Sequence, residues 1–248
     1  MNRRTFAFVI FAVAMAAGCV RLGFWQLSRL AERRARNAAI SARLDAPDVP
    51  VQSALSDSAT AQYRQVQLAG RFDYEHEVIY TSRSRRGSPG VQLITPMRLV
   101  DGSAILVNRG WVYSPNGMSV DLAKWREGDW ADVRGYLEAF TPDAPIGNVS
   151  TSSLARGVRH LVRDSVAAMI PYHVVPFIVI RRDGADSQGE VKHPFRLDLP
   201  AIDEGSHKSY AIQWFSFAVI AVVGIGAVIL RGRQATSSPP RIAAKPTR

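Results

Sequence analysis

A histidine and two aromatic residues stand together where a polar segment enters a long apolar run. Residues 207–215 read HKSYAIQWF, and no charged residue occurs from Tyr210 to Leu230. On an α-helix, His207, Tyr210 and Trp214 are spaced i, i+3 and i+7 and share one face. An imidazole nitrogen beside two rings at a membrane surface could hold a flat apolar ligand. In the alternative interpretation, the rings only anchor the helix at the interface and His207 is solvated.

Two apolar segments are long enough to cross a membrane. A helix rises about 1.5 Å per residue, so about 20 residues cover the hydrocarbon core of a bilayer. We predict membrane-spanning helices at residues 5–27 and 210–230, one near each end of the chain. The first span contains Arg21, whose long side chain can reach the interface and therefore does not exclude the span.

The first span has a face of small and aromatic residues. Ala14, Gly18, Arg21 and Trp25 lie close together on a helix, and the small pair four residues apart would admit another helix. We expect this face to pack against the second span, with Trp25 facing His207.

A secretory signal is an alternative interpretation of the first span. Residues 16–19 read AAGC, which resembles a lipoprotein processing site. A branched aliphatic residue is usual where Ala16 stands, and the apolar character continues to Leu27, so we favour an uncleaved helix. Cys19 is the only cysteine, so it forms no intramolecular disulfide and is expected to behave as a small apolar residue.

The two spans divide the chain into membrane and water-exposed parts. We expect both termini on one side and the long middle on the other, and short basic ends favour cytoplasmic termini. The net charge of +10 is explained by attraction to lipid head groups and not by binding to nucleic acid, because no DNA or RNA motif accompanies it. The predicted parts are a cytoplasmic N-terminus at 1–4, a helical extension and tether at 28–61, an extracytoplasmic domain at 62–200, a juxtamembrane segment at 201–209 and a basic cytoplasmic tail at 231–248.

The central domain reads as β-rich. Short runs of β-branched and aromatic residues alternate with turn residues, which predicts an α+β domain built on an antiparallel sheet or small barrel. Asp101-Gly102 between two runs predicts a type I′ hairpin. The predicted strands are Tyr63–Leu68, Glu77–Thr81, Gln92–Leu99, Ala104–Val112, Val133–Ala139, Leu161–Arg163 and Val174–Arg181, with helices near Val120–Glu127 and Ser165–Ile170.

Catalytic motifs are not found in this domain. The sequence contains no nucleophile elbow, phosphate loop or dinucleotide fingerprint. The histidines outside the helix motif are scattered, without the paired spacing of a metal-binding helix. We therefore expect that the protein is not an enzyme.

Three segments in order resemble one known family. They are GFWQL at 23–27, a Thr-Pro hairpin that leads from Thr95 to VNRGW at 107–111, and the histidine followed by YAIQWF at 207–215. With the two-span arrangement, the chain resembles the Surfeit locus cytochrome oxidase assembly factors. Gly110, between an arginine and a tryptophan, is expected where a side chain would crowd a strand bend or the closely packed sheet beneath it.

The resemblance implies a non-catalytic factor for a haem–copper terminal oxidase in the bacterial plasma membrane. The family is thought to receive haem A and to help insert it into the catalytic subunit, so that subunit, the haem A synthesis enzyme and the bilayer are the expected partners. Its candidate haem-iron ligand carries over to His207. We expect Tyr210, Trp214 and Trp25 to line an apolar slot, and Arg21 and Arg29 to meet the propionates. Two alternatives remain, which are a haem-independent scaffold for the oxidase subunit and a membrane-tethered binding or sensory domain.

Overall fold

The chain forms a helical unit and a β-rich unit. A computed structural model describes residues 3–141, 156–182 and 193–237, and the predicted ends at 1–4 and 231–248 lie partly outside them. The helical unit comprises Met1–Ala39 and Ile202–Arg248, and the β-rich unit comprises Ile40–Ala201. The helices are α1 (Arg3–Leu44), α2 (Val51–Leu55), α3 (Ser58–Ala61), α4 (Arg163–Ala167) and α5 (His207–Ser237). The strands are β1 (Val49–Pro50), β2 (Gln65–Phe72), β3 (Val78–Arg85), β4 (Ser88–Arg98), β5 (Ala104–Tyr113), β6 (Trp130–Ala139), β7 (Gly157–Val158) and β8 (Val174–Arg181).

Two helices are long and apolar enough to cross a membrane. The qualifying segments are Thr5–Leu44 in α1 and His207–Arg231 in α5, which confirms the predicted pair. At about 1.5 Å per residue, α1 is about 60 Å long, roughly twice the hydrocarbon thickness of a bilayer. It therefore continues as one helix through the arginine- and alanine-rich segment that follows the apolar run.

A seam of small residues joins the two helices. Its members on α5 are Ala211 and Ala218, which are 2 % and 6 % exposed. A spacing that alternates four and three residues keeps one stripe of a helix against a partner, and small side chains allow close approach. On α1 the seam consists of buried Ala12, Ala16, Cys19, Gly23 and Leu30, with half-buried Gln26 between the last two.

The packing face expected from the sequence is wrong. Ala14, Gly18, Arg21 and Trp25 are exposed on α1, and a side chain built at Gly18 would meet no atom within 4 Å. These residues follow the same four-and-three spacing as the seam but are offset from it by two positions. Two residues correspond to a rotation of about 200° around a helix, so this face points away from α5.

The β-rich unit is built on a closed five-stranded barrel, which confirms the predicted small barrel. The barrel strands follow the order β2, β6, β8, β5 and β4, and a short pairing of β2 with β4 closes the ring. That pairing joins Arg71 to Arg98 and Phe72 to Met97. The sheet is mixed and not purely antiparallel, because β5 and β8 run parallel.

Two cores follow from the alternation of side chains along the barrel strands. Residues on one strand face from all five strands form one cluster, which must fill the barrel interior because only there can all five faces meet. Residues of the opposite parity form a second cluster on the outer face, covered by the segment that contains α4. The inner set includes Val66, Leu68, Phe72, Met97, Ile105, Val107, Val133, Leu137, Val175, Phe177 and Val179, and the outer set includes Ile94, Leu106, Tyr136, Val174, Ile178 and Ile180.

The hairpin turns differ from the sequence expectation. Arg86 and Gly87, between the paired residues Arg85 and Ser88, have φ of 49° and 80°, the positive values that a type I′ turn requires. At Asp101-Gly102 only the glycine has positive φ, at 82°. Asp101 instead accepts hydrogen bonds from the backbone N–H and hydroxyl of Ser103, which stabilise a longer turn.

Three other predicted elements change. Within the tether predicted at 28–61, residues 53–60 fall largely within the short helices α2 and α3, where Asp57 caps α3 through the N–H of Ala59. The run Leu161–Arg163 is not a strand, and the short strand β7 lies just before it. The helix expected near Val120–Glu127 is a single 3₁₀ turn at Leu122–Trp125.

Candidate functional site

His207 is paired with a glutamine of the other membrane helix. Nδ1 of His207, the first residue of α5, lies 2.9 Å from Oε1 of Gln26 on α1. Both side chains are half-buried. Gln26 belongs to the segment that resembles the family, but sequence reasoning assigned it no role. Its position in the four-and-three stripe was the signal that could have identified it.

A close helix contact lies one turn from Gln26. A Cβ at Gly23 would stand 2.7 Å from the ring of Phe215, so the absence of a side chain there lets the ring pack against the backbone of α1. Phe24 meets the same ring edge to face at 5.4 Å. Packing between the helices thus explains the glycine and the phenylalanine of the GFWQL segment at 23–27.

Charged pairs join the two helices on the other side of Gln26. Arg34 binds Glu204 through two parallel hydrogen bonds of 2.7 and 2.8 Å, and Asn37 donates to the carbonyl oxygen of Asp203 at 2.8 Å. Arg33 lies 3.4 Å from the Asp203 carboxylate. The hydrogen bond from Arg34, together with its charge, lowers the pKa of the Glu204 carboxyl. The two helices are therefore fixed in register on both sides of His207.

The aromatic residues of the segment at 207–215 are only partly packed. Tyr210 is 47 % exposed, whereas Trp214 is half-buried and meets Phe217 edge to face at 6.0 Å. Ala211, between them, is buried in the seam. Tyr210 and Trp214 thus present ring surface at the end of α5, beside His207 in the helical register.

Three other predicted site residues lie elsewhere. Trp25 is 54 % exposed, and Arg21 is exposed on the face turned away from α5. Arg29 pairs with Glu32 on the same helix at 2.5 Å. The structure therefore brings His207 together with Gln26, and does not bring Arg21 to them. The cofactor roles of Tyr210, Trp214 and Trp25 stay predictions.

Arg109, the charged residue of the VNRGW segment at 107–111, is buried in the β-rich unit. Its side chain is 0 % exposed and binds both Glu77 and Glu127, the latter at 3.0 Å. Its Nε donates to the hydroxyl of Thr95 at 2.7 Å, and an Nη donates to the carbonyl oxygen of Trp125. These bonds satisfy the guanidinium within the fold. Sequence reasoning missed both glutamates, since they are distant in the chain.

Glu127 is the centre of this buried charge cluster. Arg181 approaches Oε2 of Glu127 at 3.1 Å, and Arg196 binds the same oxygen through Nη2. Burial by itself raises the pKa of the Glu127 carboxyl, but the Arg196 hydrogen bond and the charges of Arg196, Arg181 and Arg109 outweigh it, so the pKa is lowered. Arg109 and Arg181 belong to the strand face that fills the barrel, so the cluster is part of its interior.

Glu138 lies in a different environment of the same unit. It lines a cleft of about 290 Å³ together with Tyr80, Asn108, Tyr136 and Leu197. None of the residues that the structure describes gives it an arginine or lysine partner at salt-bridge distance. Burial raises the pKa of its carboxyl.

Gly110 and Trp111 also have structural explanations. Gly110 has φ of 128°, and a Cβ there would lie 2.3 Å from the carbonyl oxygen of Phe195. Trp111 exchanges two backbone hydrogen bonds with Phe195, at 2.7 and 2.8 Å, and its indole N–H donates to the carbonyl oxygen of Arg83. The expectation that a side chain at Gly110 would be crowded is confirmed.

A comparison with known proteins assigns the chain to a family. The sequence profile of the SURF1 family matches residues 13–219, which include the barrel and part of each of the two long apolar helices. The chain belongs to the SURF1 family. This is a family of cytochrome oxidase assembly factors. Within the described part of the chain, no three His, Cys, Asp or Glu side chains are grouped closely enough to hold a metal ion.

Relatives resemble the chain over most of its length. A SURF1-like protein of Rickettsia felis is 26 % identical over 207 residues, which cover 82 % of this chain and 88 % of the relative. An uncharacterized SURF1-like protein of Mycobacterium tuberculosis is 25 % identical over 226 residues, covering 87 % and 81 %. A SURF1-like protein of Monosiga brevicollis is 31 % identical over 225 residues, covering 81 % and 79 %.

Proposed function

We propose that this SURF1 protein is a non-catalytic assembly factor for a haem–copper terminal oxidase, which binds haem A at His207 and aids its insertion into the catalytic subunit. Haem A is the cargo of this activity. The observation that carries the proposal is the half-buried imidazole of His207 at the end of a membrane helix, in a member of an oxidase assembly family.

The residues around His207 fit an axial ligand. Among the described residues, only Gln26 hydrogen-bonds the imidazole, and it does so at Nδ1. A Cβ at Gly205 would lie 4.0 Å from Nε2, so the glycine keeps a side chain away from that edge of the ring. A haem iron takes a neutral imidazole nitrogen as axial ligand. The free Nε2 edge of His207 has this chemistry.

Tyr210 and Trp214 would supply apolar contact to the porphyrin. Both rings expose surface at the membrane-facing end of the motif, where one side of an aromatic ring can stay apolar while the polar tip reaches water. Arg21 and Arg29 are weaker candidates for the propionates, because Arg21 lies on the opposite face of α1 and Arg29 is paired with Glu32.

A haem-independent scaffold is the second candidate function. One contact favours it, because the His207–Gln26 hydrogen bond also links α1 to α5 and gives His207 a use without any iron. A membrane-tethered sensory domain would have the same structure. The two proposals differ in whether loss of the imidazole changes haem binding or only the packing of the helices.

The test compares His207→Ala with the wild type in one strain that also makes haem A. We expect the variant to insert and fold, to lose or alter the haem spectrum, and to leave an oxidase with low haem content whose subunits are still made. Tyr210→Phe keeps the ring and should have a smaller effect, whereas Trp214→Ala should weaken binding through lost apolar contact. Unchanged haem spectra and oxidase activity in His207→Ala would leave the scaffold function standing.

We further propose the bacterial plasma membrane as the location, with both termini cytoplasmic, the β-rich unit outside and the haem A synthesis enzyme as a partner. Short basic ends support this orientation, and long domains are translocated largely regardless of charge. Alkaline phosphatase fused after Pro142 should be active, and a fusion at Arg248 inactive.

The first helix should remain uncleaved. The intact mass of the purified protein should include the residues before Cys19, and a lipid-modified Cys19 at a new amino terminus would contradict this prediction.

A further inference from the structure

We propose that Gln26 is a positioning residue for His207, whose side-chain carbonyl oxygen holds the hydrogen on Nδ1 and thereby presents the lone pair of Nε2 to an iron atom. This inference rests on the proposed haem-binding function. It adds a residue of the first membrane helix to a site that the motif places wholly on the second.

The hydrogen bond determines which nitrogen carries the hydrogen. Nδ1 of His207 lies 2.9 Å from Oε1 of Gln26. An amide carbonyl oxygen only accepts hydrogen bonds, so Nδ1 must be the donor, and a neutral imidazole then has its lone pair on Nε2. A histidine that binds a metal usually donates its other ring N–H to a neighbouring acceptor, which fixes both the tautomer and the ring orientation.

The surroundings of the pair hold Gln26 in place. On one side, the close approach at Gly23 lets Phe215 pack against α1. On the other side, buried Leu30 lies in the seam, and Arg34 binds Glu204 through two hydrogen bonds. Because these contacts fix the two helices against each other, the amide and the imidazole meet without further movement of either helix.

The opposite edge of the ring is left open by the backbone. Gly205 has φ of 66°, a left-handed conformation that favours glycine. A Cβ at this position would lie 3.7 Å from Cδ2 and 4.0 Å from Nε2 of His207. A side chain at this position would therefore contact that edge of the ring. A directional partner on Nδ1 and an uncovered Nε2 are independent features, and together they suit a ligand better than a simple link between helices.

The tautomer can be measured without haem. We would label the full-length protein with ¹⁵N-histidine in detergent micelles and read the imidazole nitrogen shifts of His207 at pH 8, assigning the signal by its loss in His207→Ala. The wild type should show hydrogen on Nδ1. Gln26→Glu keeps an acceptor and should show the same tautomer, whereas Gln26→Met has nearly the same length without an acceptor and should show a mixture.

Haem binding then separates this proposal from the proposed function. Titration with ferric haem A should give affinity in Gln26→Met lower by about 10-fold to 100-fold, the usual effect of losing such a partner. Gln26→Glu should bind at least as tightly as the wild type. Gln213→Met, on an exposed position of α5, is the matched control and should bind as the wild type does.

Each outcome has a separate meaning. Hydrogen on Nε2 in the wild type, or equal haem affinity in Gln26→Met and the wild type while His207→Ala loses binding, would overturn the role of Gln26 and leave the proposed function intact. If His207→Ala binds haem normally, the proposed function fails, even where the tautomer depends on Gln26 as expected. Circular dichroism and gel filtration of Gln26→Met would show whether the helices remain packed.

Discussion

Arg109 and His207, the most chemically distinctive residues of two motifs, stand in opposite environments. Arg109 is 0 % exposed, and its donors bind Thr95, Glu77, Glu127 and a backbone carbonyl oxygen. His207 is half-buried and uses one nitrogen, while Tyr210, on the next turn, is 47 % exposed. The polar groups of Arg109 are thus bound within the fold, whereas His207 and Tyr210 keep polar groups that a ligand could contact.

The difference teaches where function should be sought in this chain. A buried charge must be paired and hydrogen-bonded because its desolvation is costly, so the surroundings of Arg109 are sufficient to explain it. No comparable cost requires an exposed tyrosine or a half-buried histidine at the end of an apolar helix. Variants of Arg109 and Gly110 should therefore reduce folded protein, whereas variants of His207 and Trp214 should change ligand binding.

The largest effect is expected for Arg109→Ala. Removing one partner of a buried ionic cluster leaves the other charges uncompensated, which typically costs about 3–5 kcal/mol of unfolding free energy. Thermal unfolding of the full chain in detergent, followed by the β-sheet signal in circular dichroism, measures it. Arg126→Ala is the matched control, because Arg126 is exposed, and it should change the melting temperature little. A well-folded Arg109→Ala protein would break the comparison.

A smaller loss is expected for Gly110→Ala. The new Cβ would lie 2.3 Å from the carbonyl oxygen of Phe195, in a backbone conformation that L-residues avoid, so overpacking and strain together should cost about 2–4 kcal/mol. Gly102→Ala separates these causes, since φ is 82° there but the added Cβ would meet nothing within 4 Å. It should cost only about 1–2 kcal/mol for the conformation.

Equal losses in the two glycine variants would attribute the effect at Gly110 to strain alone. Gly110→Glu should reduce folded protein more than Gly110→Ala, because the larger side chain meets the same carbonyl oxygen. A Gly110→Glu protein of normal abundance and melting temperature would move Gly110 from the fold to a surface that contacts a partner.

Local sequence patterns predicted most helices and strands. Features that depend on the pairing of residues distant in the chain were not predicted. The apolar runs predicted both membrane helices, and a short run of β-branched and aromatic residues predicted Val174–Arg181 as a strand with its observed bounds. Barrel closure depends on the pairing of Phe72 with Met97, which no local pattern encodes. The I′ geometry at Arg86-Gly87 was not predicted, because arginine is not a usual residue at positive φ.

The site shows the same limit. His207 is marked by a motif, but its partner Gln26 lies 181 residues away, and their meeting depends on how two helices align. The helix face was assigned with the wrong phase because Ala14 and Gly18 are as small as the true seam residues Ala12 and Ala16. Composition alone could not separate two stripes that have the same spacing.

The smallest effects are pH-dependent and compare two glutamates of the β-rich unit. The arginines around Glu127 lower its pKa in the folded state, so this carboxylate stabilises the fold above its ordinary pKa of about 4.3 and loses that contribution as pH falls through the folded value. Glu138 has the opposite sign. Burial raises its folded pKa, so its contribution is favourable at low pH and is lost as pH rises through that value.

Glu127→Gln and Glu138→Gln should therefore shift stability in opposite directions. At pH 7, Glu127→Gln should be less stable by about 1.5–3 kcal/mol, the typical contribution of hydrogen bonds to a charged group, and the deficit should shrink below about pH 4. Glu138→Gln should melt above the wild type at pH 7 and lose that advantage toward about pH 4, where the wild-type carboxyl is protonated in both states. Melting temperatures of the full chain at pH 7, 5.5 and 4 distinguish the two. If Glu138→Gln were also destabilising at pH 7, the carboxylate of Glu138 in the wild type would have to be bound by a cation. The cleft that Glu138 lines would then be, like His207, a place where this chain can bind a ligand.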